Sequence, residues 1–245
     1  MDILNRETWE KYYESISQEY EYYYIQEQLI ETVIRSLNNY VKGKKILELG
    51  CGKGLESIEL AKKGAEVTVV EYSENAINAF KKRKGEININ VIKNDISDVK
   101  FPENYFDLVF SSGVLEHFKN PDIIIKKQYE FLKNKGIIIV EVPNKCTLFT
   151  IFKKILMKLN KWPAGWETEY SPNELKNLLE NNGFNIIDII GRDFLVLRIF
   201  RKIKRKIGIK DKGEGVLYKW FRSKIQRNKI FLKYFFVVIA VVGEK

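Results

Sequence analysis

The segment Ile46–Gly54, ILELGCGKG, constrains the fold of this chain more than any other. The apolar stretch Lys45–Leu49 predicts a strand, three glycines at alternate positions follow it, and Leu55–Lys63 predicts a helix. Glycine permits a tight turn and lets the backbone approach a ligand closely. In an open parallel sheet, the turn after the first strand lies at the carboxyl edge, where nucleotide-like ligands bind. The segment therefore predicts a parallel α/β sheet with a nucleoside site at this turn.

Strands and helices are predicted to alternate along most of the chain. Further strands are predicted over Glu66–Glu71, Ile89–Lys93, Asp107–Ser111, Gly136–Val142, Phe184–Ile190 and Leu232–Val242. Their apolar character on both faces is typical of strands that helices cover from both sides. This pattern predicts a Rossmann-like, doubly wound α/β fold with a mostly parallel, seven-stranded sheet.

Helical additions are predicted around this sheet. Residues 1–40 form an N-terminal helical cap, in which Thr8–Tyr40 has helical spacing and many tyrosines. Most of those rings are expected in the core, and a few could cover a ligand pocket. The sheet domain then spans 41–245. It carries basic helical insertions at about 147–170 and 192–230, after the fifth and sixth strands, and the first includes an amphipathic helix over Leu148–Leu159.

The charge of the chain is unevenly distributed. The net charge is +10, yet residues 192–245 hold 16 Lys and Arg against 4 Asp and Glu, whereas residues 1–191 hold 26 against 28. The C-terminal part is therefore the place to look for an anionic partner.

Three features indicate the cellular compartment and the metal sites that the chain can form: its cysteines, its histidine and its N-terminal segment. Cys51 and Cys146 are the only cysteines and His117 is the only histidine, which argues against a disulfide framework and a Cys/His zinc cluster. The polar, acidic N-terminal segment shows no secretory signal, and the apolar run Tyr234–Val242 is far shorter than the ~20 residues that span a bilayer. A cytoplasmic location is expected.

The glycine turn lacks the markers of two common nucleotide sites. Leu55 stands where a dinucleotide fingerprint needs its third glycine, and the phosphate-binding G-x-x-x-x-G-K-[ST] pattern is absent. Glu71 lies about 20 residues after the turn, where a carboxylate can accept both ribose hydroxyls; the alternative is a solvated carboxylate at a strand end. Asp95, in Asn94-Asp95-Ile96, could accept a hydrogen bond from an adenine amino group, with Ile96 against the ring, although Asn-Asp is also ordinary turn chemistry.

With these residues, the chain resembles the class I S-adenosylmethionine-dependent methyltransferases, in particular the small-molecule enzymes of ubiquinone biosynthesis. The resemblance covers about Lys44–Val142 and rests on ELGCGKG at 48–54, Glu71, Asn94-Asp95 and FDLVFSSGVLEHF at 106–118; it extends more loosely to SPNELKNLLENNGFNIIDI. It implies a methyltransferase domain over 41–245, with S-adenosylmethionine as cofactor. The turn would hold the methionine part, Glu71 the ribose and the third-strand turn the adenine. The implied cofactor-binding residues are Glu48, Gly50, Cys51, Gly52, Gly54, Glu71, Tyr72, Asn94, Asp95, Ile96, Ser111 and Ser112.

The segment after the fourth strand suggests a catalytic group. In quinone O-methyltransferases a related segment supplies acidic and histidine ligands to a metal, and Glu116 and His117 match that pattern. Gly113 stands where a further acidic ligand would be, so no metal site is predicted. His117 is instead the predicted catalytic residue, as general base on a substrate hydroxyl. The alternative is that His117 packs under the cofactor and orients the loop.

The acceptor of the methyl group stays open. SSGV follows the fourth strand in place of the [DNS]-P-P-[FYW] of base-amine methyltransferases, and a Pro-Cys nucleophile is absent. Lys and Arg alternating with bulky apolar residues favour a small-molecule, lipid-linked or glycan acceptor and peripheral association with an anionic membrane. The alternatives are a solvated basic cap, an RNA methyltransferase that uses the basic region, and a non-catalytic binding protein of the same fold.

Overall fold

A computed structural model describes residues 6–15, 24–159, 167–196, 199 and 216–245. Where one helix is predicted over Thr8–Tyr40, the described residues form two, α1 (Arg6–Ser15) and α2 (Tyr24–Ser36), and residues 16–23 lie outside the description. After α2 ends, Asn38 and Asn39 adopt positive φ angles of 54° and 62°. Asparagine tolerates this left-handed conformation better than most residues, so it stops a helix efficiently.

The seven-stranded, mostly parallel sheet is confirmed. The strands are β1 (Lys45–Leu49), β2 (Glu66–Glu71), β3 (Asn90–Lys93), β4 (Phe106–Ser112), β5 (Leu132–Pro143), β6 (Asn185–Phe194) and β7 (Phe236–Glu244). They lie in the order β3-β2-β1-β4-β5-β7-β6, and β7 runs antiparallel to both of its neighbours. The strand order reverses between β1 and β4, which opens a crevice at the carboxyl ends of these two strands.

Helices cover both faces of the sheet. They are α3 (Leu55–Lys62), α4 (Glu74–Lys84), α5 (Pro121–Phe131), α6 (Leu148–Lys158), α7 (Pro172–Asn181), α8 (Val216–Ile225) and α9 (Lys229–Tyr234), with a 3₁₀ turn at Leu115–His117. Alternate residues of β4 enter opposite cores: Leu108 and Phe110 pack in one cluster and Val109 in the other. Each such buried side chain contributes roughly 1.5–3 kcal/mol.

The segment before β7 corrects one prediction. Residues 232–235 were expected to begin the last strand, but helix α9 occupies Lys229–Tyr234 and β7 begins at Phe236. The Asn228 side chain accepts hydrogen bonds from the backbone N–H groups of Ile230 and Phe231, which starts a helix. An apolar run alone does not distinguish a strand from a buried helix, so this cap decides the local structure.

The two basic insertions are described in part. Helix α6 lies where an amphipathic helix is predicted, whereas residues 160–166 and 200–215 lie outside the description. Residues 192–194, expected in the second insertion, extend β6. None of the helices in the described part of the chain is long and apolar enough to cross a membrane.

Candidate functional site

The glycine turn lies between β1 and α3, at the crevice where the strand order reverses. Gly50, Gly52 and Gly54 have positive φ angles of 69°, 52° and 60°. A Cβ atom at Gly50 would collide with Val114, and one at Gly54 with the ring of Phe80. A Cβ at Gly52 would lie 2.6 Å from the Tyr13 hydroxyl oxygen. The turn therefore needs glycine at all three positions, both for its conformation and for the space above it.

The carboxylate of Glu71 joins the end of β2 to this turn. Oε2 accepts a hydrogen bond from the Gly52 N–H at 2.8 Å, and Oε1 accepts from the N–H groups of Tyr72 at 2.8 Å and Ser73 at 2.9 Å. Burial raises the pKa of Glu71, and the hydrogen bonds from Ser73 and Gly52 oppose that rise. A carboxylate has about four acceptor positions, so Glu71 retains capacity for a ligand hydroxyl.

Two adjoining cavities lie above the turn. The smaller, of about 50 Å³, is lined by Trp9, Tyr13, Gly50, Glu71, Tyr72, Asp95, Ile96, Gly113, Val114, His117 and Phe118. The larger, of about 400 Å³, extends along the glycine turn towards α6 and β7. Both cavities share Trp9, Tyr13, Gly50, Gly113 and His117, so these residues mark the junction between them.

Most of the cofactor-binding residues predicted from the sequence line one of these cavities. Gly50, Glu71, Tyr72, Asp95 and Ile96 line the smaller, and Glu48, Gly50, Cys51, Gly52, Gly54 and Ser112 line the larger.

Asn94 and Ser111 lie outside both linings. The Asn94 side chain accepts a hydrogen bond from the Asp95 N–H at 2.8 Å, and Ser111 is buried in β4 between β1 and β5. Their contribution to a ligand site, like the role of each lining residue, stays a prediction.

Buried carboxyl groups lie in the floor of the larger cavity. Burial raises the pKa of Glu48 well above its ordinary value, and the charges of Glu56 and Glu71 add to this. Burial also raises the pKa of Glu56. The Ser57 hydroxyl donates a hydrogen bond to Glu48, which holds this carboxyl group under the turn. A positively charged ligand group placed above these carboxyl groups would favour their ionised form.

A buried chain of polar side chains fixes the position of Ser112. Its hydroxyl donates to Glu141 Oε1 at 2.6 Å, and the other carboxylate oxygen pairs with Arg192. Burial lowers the pKa of Arg192 to about 9. Glu141 and Arg192 stand on β5 and β6, with β7 between them. The tertiary fold therefore supplies the charge pair that positions a cavity residue of β4.

Helix α1 covers the junction of the two cavities. The Trp9 ring meets the His117 ring edge-on, with 5.0 Å between the centroids, and stacks against Tyr13 at 6.1 Å. Glu10 accepts hydrogen bonds from the Ser73 hydroxyl at 2.9 Å and the Glu74 N–H at 2.7 Å. These contacts attach α1 to the start of α4, beside Glu71.

The far wall of the larger cavity carries charged groups that the sequence reasoning missed. Lys153 of α6 is 1% exposed, and its ammonium group pairs with Glu167 Oε2 at 2.6 Å and with Glu169 Oε1 at 3.0 Å. Glu116 lies in the same wall, and the Glu167 charge adds to the burial that raises the pKa of Tyr12. No local signal marks Lys153 and Glu167, because they come together only when α6 folds back over the cavity.

The absence of a metal site stays a prediction. Among the described residues, no three His, Cys, Asp or Glu side chains are grouped so that they could hold a metal ion. His117 is buried and lines both cavities, where it could meet a substrate, and its catalytic role stays a prediction.

The arrangement fits S-adenosylmethionine. The backbone of the glycine turn leaves space for the methionine part, and the buried carboxylate at the end of β2 can accept hydrogen bonds from a ribose. The slot between Asp95, Ile96 and Phe118 fits an adenine. Together with the 3-2-1-4-5-7-6 sheet, this site defines a class I S-adenosylmethionine-dependent methyltransferase.

Comparison with known proteins identifies the family. The methyltransferase domain family matches residues 20–189, and this chain belongs to that family. The ubiquinone biosynthesis O-methyltransferase of Coxiella burnetii (strain Dugway 5J108-111) is 31% identical over 176 residues, which cover 69% of this chain and 75% of the relative. The enzyme of that name from Pelagibacter ubique (strain HTCC1062) is 29% identical over 184 residues, 71% of this chain and 75% of the relative.

Solved structures show the same fold. A methyltransferase from Archaeoglobus fulgidus, described as dependent on S-adenosylmethionine, superposes with a TM-score of 0.59 at 22% identity and covers 90% of this chain and 94% of its own. The family match, together with the relatives, makes the chain an enzyme that transfers a methyl group from S-adenosylmethionine.

Proposed function

We propose that this enzyme methylates a hydroxyl group of a small, lipid-linked acceptor at an anionic membrane surface. Helix α6 carries the proposal, because its apolar face points away from the protein. Leu148, Ile151, Phe152, Ile155 and Leu159 follow helical spacing along one face, and each is between 52% and 74% exposed. A surface helix ordinarily packs its apolar stripe against the core. An apolar stripe left in water indicates a binding surface.

The opposite face of α6 belongs to the larger cavity. Phe149 and Lys153 line that cavity, while Lys154 and Lys158 are exposed beside the apolar stripe. Apolar side chains flanked by lysines suit the boundary between acyl chains and anionic headgroups. In this arrangement the outer face of α6 lies on the membrane and its inner face lines the cavity. A lipid-linked acceptor in the membrane would then lie next to the site.

The names of the relatives favour a hydroxyl acceptor, since two of them are O-methyltransferases of ubiquinone biosynthesis. S-adenosylmethionine, when bound, supplies an activated methyl group. The protein has to orient the acceptor oxygen behind that group and exclude water. The aromatic side chains of Trp9, Tyr12 and Tyr13 close the cavity on one side, and the polar wall around Glu116 and Lys153 faces the acceptor.

Membrane docking is tested by sedimentation with vesicles. The wild-type enzyme should pellet with vesicles that contain phosphatidylglycerol and much less with phosphatidylcholine alone. Replacing Ile151 and Phe152 by serine should weaken binding at least tenfold, because each loses roughly 1.5–3 kcal/mol of apolar burial. A matched control replaces Ile123 and Ile187, which are 50% and 56% exposed on α5 and β6, by serine. The proposal would be contradicted if both double variants lost vesicle binding equally, or if the wild type did not bind vesicles.

The acceptor class is tested with methyl-labelled donor and a fractionated cell extract. Label in a lipid fraction supports the proposal. Label in glycan, protein or RNA overturns the lipid-linked acceptor, and label in RNA together with salt-sensitive RNA binding would support the nucleic-acid alternative.

A further inference from the structure

We propose that Glu116 is the proton acceptor of the methyl transfer and that Lys153, Glu167 and Glu169 form the positioning network around it. This inference rests on the proposed hydroxyl acceptor. In the step it describes, an acceptor oxygen lone pair forms the new O–CH₃ bond. The S–CH₃ bond breaks with its electron pair left on sulfur, and the hydroxyl proton moves to the Glu116 carboxylate.

The position of Glu116 is the first support. The reacting carbon of the donor must lie where its nucleoside part meets its methionine part, which is the junction of the two cavities. Gly113 belongs to both linings, and a Cβ placed on Gly113 would lie 3.8 Å from Glu116 Oε1. Glu116 itself lines the larger cavity. Its carboxyl group therefore lies beside the junction, on the side of the larger cavity.

The hydrogen bonding of Glu116 is the second support. The residue is 2% exposed, and its Oε2 is buried without a hydrogen-bond partner among the described residues. A buried polar atom without a partner costs free energy, so an atom of this kind beside a ligand cavity points to a ligand group. A hydroxyl hydrogen of an acceptor would satisfy it.

The surrounding charges are the third support. Burial is the largest effect and raises the pKa of Glu116 to about 8; the Glu167 and Glu169 charges add to this rise, and the Lys153 ammonium group opposes it. A general base works best when its pKa lies near the working pH. The backbone carbonyl of Glu116 also accepts a hydrogen bond from the Thr168 N–H at 2.9 Å, which ties the carboxylate-bearing turn to the Glu167–Glu169 segment.

The first test measures binding and needs no acceptor. Sinefungin carries an amine-bearing carbon where the donor has its methylated sulfur, so its ammonium group should pair with a carboxylate beside the reacting atoms. Wild-type enzyme should bind sinefungin more tightly than S-adenosylhomocysteine, and Glu116→Gln should lower this affinity ratio about tenfold while S-adenosylhomocysteine binds as before. Glu103→Gln removes an exposed acid that does not line the cavity, and should leave the ratio unchanged.

The second test uses a catechol probe bearing an alkyl chain. The methylation rate of the wild type should rise with pH to a plateau above about 8, and Glu116→Gln should abolish that rise, whereas His117→Gln should keep it. An unchanged sinefungin ratio in Glu116→Gln, or a pH rise that depends on His117 alone, would overturn the assignment. Failure of the wild type to bind S-adenosylhomocysteine would instead contradict the donor site. The affinity ratio decides the proposal even where the probe is not methylated.

Discussion

The burial of Glu116 has a consequence for folding that can be measured without any ligand. Its pKa is about 8 in the folded protein against an ordinary value of 4.5, with burial as the largest cause. Below pH 4.5 both the folded and the unfolded chain keep the proton. Between these two pH values the unfolded chain ionises and the folded protein does not, so stability falls as the pH rises. Above about pH 8 the folded protein also ionises, and no further loss arises from this group.

The size of the effect follows from the two pKa values. At 1.36 kcal/mol for each unit between 4.5 and about 8, Glu116 lowers the free energy of unfolding by about 5 kcal/mol across this range. Glu116→Gln keeps the shape of the side chain and removes the titration. The variant should therefore gain about 5 kcal/mol relative to the wild type between pH 4.5 and pH 8.5. That is a large part of the stability of an ordinary domain.

Urea unfolding followed by circular dichroism at several pH values from 5 to 8.5 measures this difference. The other buried acids are present in both proteins, so their titration cancels in the comparison. Glu66→Gln, at an exposed position at the start of β2, is the matched control, and its difference from the wild type should not change with pH. A difference between Glu116→Gln and wild type that is the same at pH 5 and pH 8.5 would refute a raised pKa of Glu116 in the folded protein.

Three further outcomes follow from single contacts. Gly54→Ala should lower the free energy of unfolding by about 1–3 kcal/mol in thermal melts, because the new Cβ would collide with the Phe80 ring at a positive φ angle; a melting temperature equal to that of the wild type would contradict the turn geometry. Glu71→Ala should weaken S-adenosylmethionine binding at least tenfold in titration calorimetry, since the carboxylate that accepts hydrogen bonds between β2 and the turn is lost. An unchanged affinity would show that Glu71 does not belong to the site. Asn144→Ala should lower the free energy of unfolding by about 2–4 kcal/mol in urea, because the buried amide donates at 2.7 Å to a carbonyl oxygen near the end of α9 and at 2.8 Å to one at the start of β7. A decrease below about 1 kcal/mol would show that water replaces the amide.

Helix α6 shows where local pattern stops being informative. Its spacing predicts an amphipathic helix, and the helix is present over Leu148–Lys158. The pattern alone does not decide whether the apolar stripe faces the core or a membrane, and it gives no reason to bury Lys153. In the structure the stripe is exposed, and Lys153 is buried between Glu167 and Glu169. Which face of a helix turns inward depends on the groups that it meets, and these come from distant parts of the chain.

The sequence by itself determined the sheet and the donor turn. A strand needs a short run of apolar residues, and the positive φ angles at Gly50, Gly52 and Gly54 need glycine. Both are properties of consecutive residues, so the sequence shows them directly. Only the tertiary structure decided the far wall of the larger cavity. Burial and pairing of charge fix the environment of Glu116 and Lys153, and both arise when segments far apart in the chain close around one cavity. The glycine turn could therefore be predicted from nine consecutive residues, ILELGCGKG. The opposite wall of the larger cavity could be identified only in the folded protein.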